Sequence, residues 1–288
     1  MKIEKNFLSQ RKLEPESHTL YVVGTPIGNL NEISERSKNI LSKVSLIACE
    51  DTRRSKQLLN SLNIKNRLIS FNEFNSQAKT DLIINQLKEG SSIALVSDAG
   101  LPGISDPGEY LINKARKNNI EVICSSGPCA AITGLVSSGL PCNNFLFMGF
   151  IPKKGKDRKQ YFQIIANNSF TTIVYESPLR IKYLLQELSK YCEVTRIVHI
   201  AKELTKKYEK HWNGPLNEIT KEFEKNSQKG EFTIIIEGKK ILKESSDLDH
   251  ENLKTDLEEL IKLGLKRGTA SSYLAKKNGI SKNTIYNL

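Results

Sequence analysis

Apolar residues in this chain form short dense runs, separated by longer segments in which they recur every three or four positions. TLYVV (19–23), SLIAC (45–49), NRLIS (66–70), SIALVS (92–97) and IEVIC (120–124) have the density of buried strands. Between them lie amphipathic patterns. ISERSKNILSKV (33–44) puts Ile33, Ile40, Leu41 and Val44 on one side of a helix, and further helices follow over 53–62, 76–90 and 109–119. Gly90 stops the third of these. Such alternation predicts a largely parallel sheet with helices on its faces.

A second series begins with the small-residue helix SGPCAAITGLVSSG (126–139). NFLFMGF (144–150), FTTIVYE (170–176), VTRIVHIAKEL (194–204) and GEFTIIIEG (230–238) read as strands. Helices are predicted over 159–167, over 177–191 from a Ser-Pro start, and over 215–226. The pattern gives two α/β domains, 18–124 and 125–240. A polar stretch, KESSDLDHEN (243–252), leads to a small all-α module over 250–288. There Ala275, Gly279 and Ile285 have helix-turn-helix spacing, and Ser281 is placed to cap the last helix. That module either binds nucleic acid or is simply a compact three-helix unit.

Composition narrows the class. Of 288 residues, 38% are hydrophobic and 26% charged, as in globular proteins. The longest apolar run, FLFMGFI, is far below the roughly 20 residues of a membrane span, and no secretion signal opens the chain, so a cytoplasmic location without membrane attachment is expected. Five cysteines form no C-x-x-C pair and four histidines no H-E-x-x-H, so neither a metal site nor a disulfide framework is expected, and the thiols read as mostly buried. The net charge of +11 is concentrated in residues 125–240, with 18 basic against 11 acidic side chains. Lys153, Lys154, Lys156, Arg158 and Lys159 cluster beside an aromatic pair there. A polyanion would be attracted to that cluster, although a solvated loop has the same composition.

The chemistry-bearing residues follow strands. GTPIGNL (24–30) has neither the glycine spacing of a dinucleotide site nor a phosphate-binding lysine, and Pro26 removes an amide. CEDTRR, SFNEFN and SDAGLPGISDPG follow later strands, at the edge where parallel sheets bind ligands. They gather Glu50, Asp51, Arg53, Asn72, Glu73 and Asp98, and the second half adds Glu176, Lys202, Glu203 and Thr205.

In this order, GTPIGNL, ACEDTR, SDAGLPGISDPG, SGPCAAITGL, FMGFIPKK, YESPLR, AKELTK and GEFTIIIEG resemble the ribosomal RNA small subunit methyltransferase I family of the tetrapyrrole methylase fold. The resemblance spans about residues 18–240, and the tail is similar to that family's helical domain. It implies an S-adenosylmethionine-dependent enzyme that methylates the ribose 2′-hydroxyl of a decoding-centre cytidine in 16S ribosomal RNA, with a cofactor cleft between the two domains and a homodimeric assembly. It also implies that Pro26, Asp98, Ala99, Gly100, Leu101, Gly127, Pro128, Cys129, Ala130, Phe147, Met148, Ala201 and Thr233 border the cofactor.

Glu50, Asp51, Glu73, Lys202 and Glu203 are the candidates for proton transfer and charge stabilisation, with Glu73 or Glu203 favoured as the base. Arg53, Lys153, Lys154, Lys156, Arg158 and Lys159 are the candidates for RNA contact. Two departures stand out. Phe71 precedes Asn72 and Glu73 where the family commonly has histidine, and Cys129 replaces a serine. Two rival readings are a methyltransferase of a tetrapyrrole precursor or other small molecule, and a non-catalytic nucleic-acid-binding regulator.

Overall fold

The computed structural model describes residues 14–224, 229–240, 250–278 and 280–288. They fall into two compact units that divide between Lys239 and Lys240. In chain order the first unit runs β1 (Thr19–Val23), α1 (Glu35–Lys43), β2 (Leu46–Cys49), α2 (Thr52–Ser61), β3 (Leu68–Ser70), α3 (Ser76–Lys88), β4 (Ile93–Val96), α4 (Glu109–Lys117) and β5 (Glu121–Ser125). It continues through α5 (Ala130–Ser138), β6 (Phe145–Phe150), α6 (Lys156–Asn167), β7 (Thr171–Glu176), α7 (Ile181–Leu188), β8 (Ile197–Lys202), β9 (Lys210–Pro215), α8 (Leu216–Glu224) and β10 (Phe232–Ile236).

The first sheet is all parallel, in the order β3-β2-β4-β1-β5. Its central strands β2, β4 and β1 are buried along their whole length and mostly apolar, since both faces are covered. Leu20, Leu46 and Leu95 pack with Ile83, Leu87 and Leu111 of α3 and α4, whereas Tyr21, Ile47 and Val96 pack with Ile40, Leu41 and Leu59 of α1 and α2. The second sheet has the order β6-β7-β10-β8-β9 and is mixed: its β6–β7 ladder is parallel and its other ladders are antiparallel. One face carries Phe162, Leu184, Leu185, Ile219 and Phe223 from α6, α7 and α8, and the other carries Ala131 and Leu135 of α5.

Two differences from the sequence reading have clear causes. KHWNGP lacks an apolar run because β9 is a mostly exposed edge strand, held by its ladder to β8 and by Trp212 packing edge-on against Phe223. The Ser-Pro pair does not open α7, which begins at Ile181, since residues 177–180 form a separate turn. The thiols also differ from expectation: Cys49 and Cys192 are buried, but Cys124 and Cys142 are exposed.

The second unit contains α9 (His250–Lys262), α10 (Arg267–Asn278) and α11 (Lys282–Tyr286) around Leu253, Leu257, Leu274 and Ile285. Ser281 caps α11 by accepting from the Thr284 N–H. Ala275 is buried, and Gly279 lies outside the described residues. No described helix is long and apolar enough to cross a membrane.

The loops after β1, β4 and β5 are joined by backbone. Thr25 and Gly100 exchange N–H···O=C bonds of 2.9 and 3.0 Å, and Gly24 N–H donates to the Ser125 carbonyl at 3.3 Å. Gly24 and Gly127 touch: a Cβ on either would stand 2.7 Å from the other's Cα. Overpacking of this kind costs about 1–3 kcal/mol. Gly127→Ala is therefore expected to lower the unfolding free energy by about that amount in urea titration, and a wild-type midpoint would contradict the contact.

Candidate functional site

Three carboxyl-end loops of the first sheet meet the edge of the second. Between them lies a cavity of about 320 Å³, within the range of small-molecule sites. Ile27 from the loop after β1 and Ala99, Gly100, Leu101, Ile104, Ser105 and Asp106 from the loop after β4 form one side. Cys129 and Ala130 bring in the start of α5. The opposite side is Phe150, Tyr175, Glu176, Ser177, Pro178, Ala201, Leu204, Glu231, Phe232 and Thr233.

Local rules explain these positions. Gly100 has φ of +83°, which lets the loop turn while its amide bonds Thr25. Ser105, Glu203 and Thr205 also adopt positive φ, so both loops facing the cavity hold strained backbone. Gly149, at φ +58°, lies in a break in the β6–β7 register between Phe147 and Phe150. Phe147 accordingly packs edge-on behind the wall at 5.2 Å from Tyr175, and Phe150 lines the cavity.

Two acids in the wall are distinctive. The Asp106 carboxyl is pushed up to about 6, by burial first and by the negative charge of Glu50 second. The Glu176 side chain is fully buried; its Oε1 accepts from the Ser177 N–H at 2.8 Å and pairs with Arg180 at 2.6 Å. Its Oε2 has no partner. An acceptor left unmet in a buried site costs about 1–3 kcal/mol, and a donor on a bound molecule would relieve that cost. The Tyr175 hydroxyl accepts from the Ala131 N–H, and burial raises its pKa.

Residues 19–220 match the family model described as tetrapyrrole (corrin/porphyrin) methylases. The chain belongs to that family. It is 39% identical over 269 residues to ribosomal RNA small subunit methyltransferase I of Synechocystis sp., covering 93% of this chain and 96% of the relative. It is 40% identical over 270 residues to the protein of that name from Escherichia coli O157:H7, covering 93% of each. The fold is similar to uroporphyrin-III C-methyltransferase from Thermus thermophilus complexed with S-adenosylhomocysteine, with a TM-score of 0.53 at 13% identity over 75% of this chain and 96% of that one. As a tetrapyrrole methylase, the chain is a methyltransferase.

Against this cavity the candidate residues separate. Ala99, Gly100, Leu101, Cys129, Ala130, Ala201 and Thr233 line it. Pro26, Asp98, Phe147 and Met148 are not among its lining residues, and Gly127 and Pro128 border a separate open depression with Glu32 and Thr133. Asp98 accepts from the Asp51 N–H at 3.1 Å and faces Arg54 at 3.3 Å, tying the loop after β4 to the start of α2.

No proton-transfer candidate named from sequence lines the cavity. Glu73 is exposed on the loop after β3. Asp51 caps α2 and pairs with Arg53, which holds its carboxyl well below the usual range. Burial acts to raise Glu203, but Lys206 and the Glu231 N–H hold it below its ordinary value. Glu50 is raised, by burial and then by Asp98, and Lys202 ends β8.

Arg158 requires correction as an RNA contact. It is buried, bonds Glu187 at 2.8 Å and the Pro152 carbonyl at 2.9 Å, and lies over the Phe162 ring. Lys153, Lys154, Lys156 and Lys159 are exposed, as is Arg53. Sequence reasoning missed Asp106, Tyr175 and Phe150. Asp106 lay in the quoted loop, but only folding brings it near Glu50.

A raised carboxyl opposes folding once ionised. Below the unfolded pKa of about 4 Asp106 adds no penalty; the penalty accrues as pH rises from about 4 to about 6, where the unfolded chain ionises and the folded one resists, and is constant above. Asp106→Asn is therefore expected to melt higher than wild type at pH 8, with the gap closing by pH 4. A gap that is constant with pH, or reversed, would contradict the electrostatic assignment.

Proposed function

We propose that this chain transfers a methyl group from S-adenosylmethionine to the 2′-hydroxyl of a decoding-centre cytidine in 16S ribosomal RNA. The observation carrying the chemistry is Asp106, a carboxyl in the cavity wall whose pKa of about 6 suits a proton acceptor near neutrality. The names of the relatives, matched over more than nine-tenths of the chain, support the RNA substrate.

The cavity residues fit the methyl donor. Ile27, Leu101, Ile104 and Leu204 offer apolar walls for an adenosine, and the backbone of residues 99–101 and 129–130 lies close to the space. The unpartnered Glu176 Oε2 suits an N–H or O–H donor. When bound, the cofactor supplies an electrophilic methyl on a sulfonium. Asp106 takes the 2′-hydroxyl proton as that oxygen forms its bond to the methyl, which leaves sulfur with the electron pair. The protein's share is alignment and proton removal, worth several kcal/mol in such displacements. Exposed Lys153, Lys154, Lys156 and Lys159 carry the RNA backbone.

The test is methyl transfer by the purified protein to small ribosomal subunits, free 16S RNA and uroporphyrinogen. The reading expects 2′-O-methylcytidine from ribosomal RNA; label in the tetrapyrrole alone would contradict it. Asp106→Asn is expected to lower kcat by about 10²- to 10⁴-fold while S-adenosylhomocysteine still binds. The wild-type rate should rise with pH and level off above about 6. Replacing the four lysines by alanine should reduce the salt slope of RNA binding by up to about 3, with cofactor affinity unchanged; an unaltered slope would return them to solvent.

A further inference from the structure

The motif SFNEFN, whose Glu73 does not reach the cavity, carries a different feature. Phe74 is 96% exposed, the most solvent-open large hydrophobic side chain described. Exposure on this scale has no folding benefit. Its loop is nonetheless ordered by a reciprocal pair: Asn72 Oδ1 accepts from the Phe74 and Asn75 N–H groups, and Asn75 Oδ1 accepts from the Asn72 N–H at 2.9 Å. The ring is therefore presented on a braced turn at the carboxyl edge of β3. By the strand order, β3 stands two ladder spacings, about 10 Å, from β4 and its cavity loop. The strand between them, β2, leads into Arg53 and Arg54, whose side chains are 87% and 68% exposed.

The second sheet has a counterpart. Leu204 lines the cavity, and Tyr208, four residues on, is 71% exposed with Lys207 Nζ 5.5 Å from its ring centre. Each half thus sets an open aromatic ring, with basic residues nearby, on a loop beside the cavity region: the Tyr208 loop adjoins the cavity through Leu204, and the Phe74 loop stands two strands away from the loop after β4. Flat rings beside cations are the combination that holds unpaired bases, through stacking and phosphate attraction together.

We propose that Phe74 and Tyr208 are stacking platforms for unpaired nucleobases flanking the methylated nucleotide, so that the enzyme grips a single-stranded RNA segment on both sides of the cavity. The inference rests on the RNA reading above and adds the form of RNA taken and the residues that take it. Aromatic character, and not apolar bulk, is what the site needs.

The experiment measures the Kd of a fluorescein-labelled single-stranded oligoribonucleotide by anisotropy and the KM for small ribosomal subunits. Proteins compared are wild type, Phe74→Ala, Phe74→Leu, Phe74→Trp and Tyr208→Ala. Alanine and leucine at 74 and alanine at 208 should each weaken single-strand binding by about 5- to 150-fold and raise KM. Tryptophan should restore it, with its fluorescence quenched on RNA addition. S-adenosylhomocysteine affinity, melting midpoint and binding of a duplex of equal length should not move. Wild-type Kd in both alanine variants, full function in Phe74→Leu, or equal loss on duplex would each overturn the proposal. Failure of the wild-type protein to methylate any RNA would overturn the RNA reading itself, and this inference with it.

Discussion

The reciprocal hydrogen bonds between Thr25 and Gly100 fix the geometry on which the rest depends. They lock the loop after β1 to the loop after β4, and the Gly24–Gly127 contact adds the loop after β5. From Gly127 the chain enters α5, which leaves the first sheet and packs on the second. Gly134 in α5 approaches β10 so closely that a Cβ there would stand 2.9 Å from the Thr233 methyl. Two sheets of different topology are thereby held with their edges facing one space. The cavity belongs to neither sheet alone.

Electrostatics divides along the same geometry. Acids gather at the cavity side, where the charge of Glu50 raises the Asp106 carboxyl and Asp98 adds to the shift of both. Exposed bases lie outside, on Lys153, Lys154, Lys156 and Lys159, on Arg53 and Arg54 at the start of α2 and on Lys207 after β8; Arg180 meets the wall, paired with Glu176. An interior that favours a cationic small molecule and an exterior that favours a polyanion suit a reaction between the two. Arg158 shows that charge in the sequence is not charge at the surface: its partner Glu187 lies 29 residues away and withdraws it from the basic row.

Much of the fold was legible because its physics is local. Strands such as TLYVV and SIALVS are buried on both faces, so burial wrote itself into sequence as unbroken apolar runs. β9 was not legible because its stabilisation comes from pairing with β8 and from contacts such as Trp212 against Phe223, which no apolar run announces. The loop residues 99–101 and 129–130 were legible through resemblance to a family and through glycine and proline spacing. Asp106 was not, since its pKa arises from Glu50, which is 56 positions away along the chain and close only in space. Phe150 was not legible: the family resemblance pointed to Phe147 and Met148, whereas the register break at Gly149, between Phe147 and Phe150, accompanies a lining that holds Phe150 instead.

The claim that both sheets build one ligand space is tested most directly by hydrogen–deuterium exchange with and without S-adenosylhomocysteine. The account predicts simultaneous protection of residues 24–29, 98–106, 126–131, 201–205 and 231–233. Protection confined to the loops of one sheet, or absent from all of them under saturating ligand, would contradict it.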